Sequence, residues 1–138
     1  FCSDEIRQNY LKNYFYEYFF KNGFLKTHGE VKEDKEHGLW EYFYNAEQIQ
    51  SSANFENGEL HGNFELYFQN GNLSKKGNYI KGKLEGEYLR NYQNGKLYKK
   101  GFCKEDNCIL DLYNQEGKVI FIETWEGKDL VNKEKITN

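Results

Sequence analysis

The sequence predicts an all-β repeat protein: an elongated, twisted antiparallel β-meander of about five two-stranded hairpin units. Three observations predict it. Gly38, Gly62 and Gly86 recur every 24 residues with matching neighbours, so the chain aligns against itself. Asn-Gly dipeptides separate short runs that alternate apolar and polar residues, the strongest local signal for a hairpin. The apolar content is aromatic, with 12 Tyr, 11 Phe and no Met, and 13 Gly accompany no Pro. Rings suit a half-buried pleated surface, and a chain without Pro leaves every ladder donor in place.

The units follow in order. Residues 1–13 are read as an N-terminal cap or extension, 14–130 as the repeats and 131–138 as a polar C-terminal tail. The first unit carries Tyr16, Phe20, Asn22-Gly23, Leu25, Gly29 and Val31. The next three place Trp40, Phe64 and Tyr88 at one position, Tyr44, Phe68 and Tyr92 at another, then Ile49, Leu73 and Leu97, then Phe55, Tyr79 and Cys103. An eroded last unit runs through Leu110, Gly117, Val119, Trp125 and Leu130.

Each unit holds two turn signals, Asn70-Gly71 and Lys81-Gly82 in the clearest copy. A two-residue type I′ turn at Asn70-Gly71 sets Phe68 opposite Leu73, Leu66 opposite Lys75 and Phe64 opposite Gly77. The same arithmetic sets Tyr16 opposite Gly29, Trp40 opposite Ala53 and Tyr88 opposite Gly101. A large ring therefore faces an almost bare backbone in each of these four units, and is expected to lie across it. The side-chain period of two then gathers Trp40, Tyr42, Tyr44, Phe64, Leu66 and Phe68 on one apolar face. Glu41, Gln50, Ser52, Glu65, Ser74 and Lys76 fall on the other, a solvent face with scattered rings such as Phe43 and Tyr67.

The stretches "YFYEYFFKNGFL" to "WEGKDL" resemble the MORN repeat variant, in particular the bacterial YwqK-type antitoxin proteins, and most faithfully at 62–102. The pattern departs at Ala46-Glu47, where Asn-Gly is expected, and at Glu105-Asp106, where a Gly is missing. The resemblance implies a meander of hairpins with a noncatalytic binding or immunity role.

No catalytic residue, metal site or cofactor is expected. His37 and His61 recur one period apart, but a zinc site gathers three or four ligands, and a turn-flanking polar role fits them better. Glu17, Glu41 and Glu65 recur on the outward face, where carboxyls stay solvated, so a catalytic acid–base pair is not expected there. No phosphate-cradling loop or nucleophile motif is present in the sequence.

Cys103 and Cys108 fall at positions that a two-residue turn makes directly opposed, so a disulfide stapling the turn without Gly is expected. The competing reading is a pair of small buried thiols in a reducing compartment. Cys2 is left over, and Phe1 fits poorly before a lipid-attachment cysteine. A start at Phe rather than Met favours export to the periplasm, cell surface or medium, with a cytoplasmic location as the alternative.

Charge is segregated. Residues 30–65 carry nine acids and two bases, and residues 74–104 carry nine bases and two acids. Lys75, Lys76, Lys81, Lys83, Arg90, Lys96, Lys99, Lys100 and Lys104 form a candidate basic patch for anionic membrane surfaces. With a formal net charge of −3, general nucleic-acid binding is not expected.

One apolar face on a single sheet has to be covered, because a domain normally buries such a face in a second layer. The candidates are self-burial, a homodimer or a partner protein. Tyr16, Tyr18, Trp40, Tyr42, Tyr44, Phe64 and Tyr88 are the expected partner-binding rings, and the expected function is a noncatalytic protein-binding module, of the antitoxin or immunity type. The alternative is a structural or membrane-peripheral protein that uses the Lys-rich 74–104 segment.

Overall fold

The computed structural model describes residues 13–137; the 1–12 part of the expected cap, with Cys2, lies outside the described residues. Among these, every regular element is a strand: β1 Asn13–Phe19, β2 Leu25–Lys32, β3 Lys35–Asn45, β4 Gln48–Glu56, β5 Glu59–Tyr67, β6 Leu73–Ile80, β7 Lys83–Leu84, β8 Gly86–Asn91, β9 Leu97–Lys104, β10 Asn107–Tyr113, β11 Val119–Glu126 and β12 Asp129–Lys135. They form one antiparallel sheet in chain order, with the short β7 pairing β6 beside β8. The last strand takes in residues 131–135, which the sequence reading placed in the tail.

The register is the expected one away from the turn tips. Tyr16 pairs Gly29, Trp40 pairs Ala53, Phe64 pairs Gly77 and Tyr88 pairs Gly101. What covers the bare backbone differs from strand to strand. Phe64 lies over Gly77 as expected, but Gly29 is covered by Trp40 from β3 rather than by Tyr16. At Gly101 the space is taken by the backbone of Ile109 and Leu110. A ring in a sheet can lean to either neighbouring strand: Trp40 has Ala53 on β4 and leans to Gly29 on β2, whereas Phe64 has Ala53 on β4 and leans to Gly77 on β6, so each ring takes the side without a methyl group.

The Asn70-Gly71 turn is not of the expected type I′. At Asn70-Gly71 only Gly71 has positive φ (90°), Gly71 N donates to Phe68 O at 2.9 Å, and Phe68 N donates to Asn72 O at 2.8 Å. This is a type I turn closed by a glycine bulge, so Tyr67, not Phe68, pairs Leu73. Asn70 Oδ1 accepts from Asn72 N at 2.9 Å, which a residue before the bulge glycine can do without leaving negative φ. The same closure recurs at 20–24, 92–96 and 114–118. The two-residue turns with positive φ at both positions lie at the other edge: Glu33-Asp34, Asn57-Gly58, Lys81-Gly82 and Glu105-Asp106.

That edge is also where units stack. Gly58 N donates to Glu36 O, Gly82 N to Leu60 O and Asp106 N to Leu84 O, at 3.0, 2.8 and 3.1 Å. Donors and acceptors each advance by one period, so every turn is hydrogen-bonded to the unit before it. Gly38, Gly62 and Gly86 have φ of 69°, 111° and 88°; the first two sit where the ladder to the preceding strand is bulged, and the third opens β8, just after the break that follows β7. The repeating glycine thus turns the strand, rather than merely making room for a ring.

No second layer covers the sheet among the described residues. Val31, Trp40, Phe64, Cys103, Cys108, Leu110 and Leu112 are the buried apolar residues, and none has a side chain fully removed from water. The densest cluster is Cys103, Cys108 and Leu110, with Leu84, Tyr88 and Trp125 against it.

Candidate binding face

Antiparallel pairing carries one row of side chains across the apolar face. Tyr18 pairs Thr27, Thr27 pairs Tyr42, Tyr42 pairs Ser51, Ser51 pairs Leu66 and Leu66 pairs Lys75. The row continues through Arg90, Lys99, Leu112 and Phe121. In its β1–β5 half three apolar side chains stand open, Tyr18 at 52% exposed, Tyr42 at 38% and Leu66 at 37%, with the buried Thr27 and half-buried Ser51 between them. Its centre is cationic.

The seven expected contact rings divide. Trp40 and Phe64 are each only 5% exposed, so they are core rather than contact surface. Trp40 Nε1 donates to Glu30 O at 3.1 Å, and the Phe64 ring stands 4.8 Å from that of Tyr79. The physical reason is the one that aligned the repeats: a ring laid over a bare backbone loses its accessible face to that backbone. Tyr44 and Tyr88 are half-buried. Tyr44 spends its hydroxyl on Tyr67 O at 2.8 Å, and burial pushes the Tyr88 hydroxyl pKa up. Tyr16, Tyr18 and Tyr42 remain exposed.

The nine cations expected as one patch do not form one. Lys75, Arg90 and Lys99 lie in the apolar-face row. Their sequence neighbours Lys76 and Lys100 point to the opposite face, where Lys76 meets Glu65 at 3.7 Å and Lys100 meets Glu87 at 3.0 Å. Lys83 and Lys104 are on strands with that outward parity, and Lys81 and Lys96 are in turns at opposite edges. Charge that is contiguous in sequence is split by the two-residue period of the strand.

Within the row the cations are treated unequally. Lys99 is buried and its Nζ sits 2.7 Å from Glu123 Oε1, with Lys133 Nζ 3.6 Å from Oε2. Burial pushes the Glu123 carboxyl up, but hydrogen bonds from Lys99 and Trp125 and the charges of Lys99 and Lys133 outweigh it and hold the pKa below its ordinary value. Lys75 and Arg90, paired directly across β6 and β8, have no carboxylate within ion-pair distance among the described residues. Burial, then the Arg90 charge, lowers the Lys75 pKa. The sequence reading missed Glu123, although a signal existed: Glu123 pairs Leu110 where Gly77 pairs Phe64, so a carboxylate stands at a position otherwise held by Gly or Ala.

Cys103 and Cys108 pair across β9 and β10 and are joined by a disulfide, with Cα atoms 4.1 Å apart. Two of the three His residues have partners: His28 Nε2 is 3.0 Å from Glu41 Oε1, and His61 Nδ1 accepts from Lys81 N at 3.1 Å. Among the described residues no three His, Cys, Asp or Glu side chains gather in a metal-binding arrangement.

Residues 36–57, 60–81 and 84–104 each match the model of the MORN repeat variant. These stretches correspond to the β3–β4, β5–β6 and β8–β9 hairpins, so the matched unit is the structural one. No curated protein sequence matches the chain. MORN repeats are generally protein- or membrane-binding modules.

Proposed function

We propose that this chain, three of whose hairpins are MORN-variant repeats, is a noncatalytic protein-binding module that presents the apolar face of its sheet to a partner protein. The observation that carries this reading is the open Tyr18, Tyr42 and Leu66 row on a sheet with no second layer among the described residues. Full burial of such a side chain is worth roughly 1.5–3 kcal/mol, and tyrosines are favoured at protein interfaces because they join apolar area to a polar tip. An antitoxin or immunity role in a bacterial cell, with a toxin as the partner, is the finer form of the proposal. It draws on the resemblance of the repeats. The Cys103–Cys108 disulfide supports an oxidising compartment outside the cytoplasm.

The membrane-peripheral alternative loses its main support when the cations separate onto two faces and two edges. Binding to nucleic acid is disfavoured on the same ground, since it draws on clustered phosphate contacts.

The double variant Tyr42→Ser/Leu66→Ser tests the reading, because both side chains are exposed and the fold should survive. A defined partner that co-purifies with the wild-type chain should be lost from the variant while the circular-dichroism spectrum is unchanged. Equal recovery of the partner by both overturns the assignment of the face. A dimer in sedimentation velocity that Tyr42→Ser dissolves assigns it to a second copy of the chain instead.

A further inference from the structure

We propose that Lys75 and Arg90 form an anion-binding pair on the apolar face, which receives the carboxylates of an acidic, apolar-flanked segment of the partner protein. The proposal rests on the preceding reading of that face and adds the chemistry of what occupies it.

Like charges directly opposite one another in a ladder are destabilising. Lys75 and Arg90 are such a pair, and their surroundings make the juxtaposition costlier than on a solvated face. On one side Lys75 lines a depression of about 380 Å³ together with Ala53, Leu60, Phe64 and Leu66. On the other, Arg90 lines one of about 170 Å³ with Leu110, Trp125 and the Glu123-paired Lys99. Tyr88 and Leu84 belong to both and form the ridge between them.

The fold shows how it handles a cation on this face when no ligand is needed. One strand further, Lys99 is met by the buried carboxylate of Glu123. Lys76 and Lys100 on the opposite face also have carboxylate partners. At Lys75 and Arg90 none is supplied among the described residues, where Arg90 meets the Tyr98 ring, 5.8 Å from the guanidinium carbon. Two uncompensated cations between two apolar depressions are complementary to carboxylates flanked by apolar side chains. Arg supplies a planar fork for one carboxylate, and Lys adds a point charge beside it.

Both depressions are open, which suits an extended segment lying across the strands better than an enclosed small molecule. The exposed Tyr42 and Leu66 stand in the same row, so a segment seated on the cations meets them next.

The test uses the full chain and a short, capped, fluorophore-labelled peptide that alternates Glu with Leu and Phe, read by anisotropy. The Glu peptide is expected to bind, with affinity falling as salt rises. A peptide with Gln for Glu should bind about tenfold or more weakly, and so should the Glu peptide to Lys75→Gln/Arg90→Gln. Lys76→Gln/Lys100→Gln, on the opposite face, should leave binding unchanged, and Lys75→Arg should retain it. Equal binding of the Glu and Gln peptides overturns the anion site while leaving the apolar face as a protein-binding surface. No binding of either peptide overturns the anion site and counts against that surface too. Sedimentation with phosphatidylglycerol vesicles that depends on Lys75 and Arg90, without peptide binding, also overturns the proposal, in favour of a lipid surface.

Discussion

The indole of Trp40 lies across Gly29, close enough that a β-carbon at Gly29 would collide with the ring. The contact joins two successive hairpins, and it makes the smallest side chain in β2 a packing requirement of the largest in β3. Gly29 is not at positive φ, so its backbone is one an alanine adopts freely.

Gly29→Ala is therefore expected to lower stability by about 1–3 kcal/mol, the usual cost of overpacking. An alanine in a strand is otherwise the better choice over glycine by about 0.5–1 kcal/mol, so the sign is diagnostic. A urea midpoint at or above that of the wild type would show that the ring is not held against Gly29. Gly29→Ala/Trp40→Leu should recover part of the loss relative to the sum of the two single variants.

Lys99 and Glu123 test what a charge costs on the apolar face. Both side chains are nearly inaccessible, at 9% and 4% exposure. Removing one partner, as in Lys99→Ala, is expected to cost about 3–5 kcal/mol because it strands the other charge. Lys99→Met/Glu123→Leu should fall close to the wild type. Chemical denaturation of the three proteins decides it, and a double variant no more stable than Lys99→Ala would contradict the expectation.

Acid should weaken the same region. The folded pKa of Glu123 is depressed below its ordinary value of 4.5, so its contribution is fully present above that value. It is lost as pH falls through the folded value. Trp125 Nε1 donates to Glu123 Oε1 at 3.2 Å, which makes Trp125 fluorescence a local reporter. Stability followed by this signal should decline below pH 4.5 in the wild type, and Glu123→Gln should remove this site's share of the decline.

The Glu105-Asp106 turn has two non-glycine residues at positive φ, 49° and 70°. Glu105→Asn, the residue found at the equivalent Asn57, should stabilise by about 0.5–1 kcal/mol, since Asn visits that region more readily than Glu. Asp106→Gly should gain less, because Asp106 Oδ1 accepts from Leu84 N at 2.7 Å and that bond to the preceding unit goes with it. Cys103→Ser/Cys108→Ser should cost on the order of 2 kcal/mol for so short a closed loop. Thermal melts rank the three, and a disulfide-free variant as stable as the parent would remove the staple from this account.

The order of strands, their antiparallel pairing and the Phe64–Gly77 register were legible in the sequence because a repeated chain carries its own alignment. The type of each turn was less so. Asn70-Gly71 and Asn57-Gly58 are the same dipeptide, yet only at Asn57 do both residues take positive φ. The dipeptide permits either turn, and the flanking hydrogen bonds to neighbouring units choose between them. The role of the rings was also hidden. Trp40 and Tyr42 read alike in the pattern, but Trp40 is core and Tyr42 is surface, because only Trp40 finds a bare backbone to lie on.

The sequence by itself determined that the chain reverses at regular intervals and which residues share a face, since both follow from local turn chemistry and a period of two. Only the tertiary structure decided that Lys99 is neutralised while Lys75 and Arg90 meet no carboxylate among the described residues. That difference comes from Glu123 on β11, two strands from Lys99, and no local rule of spacing brings the two together.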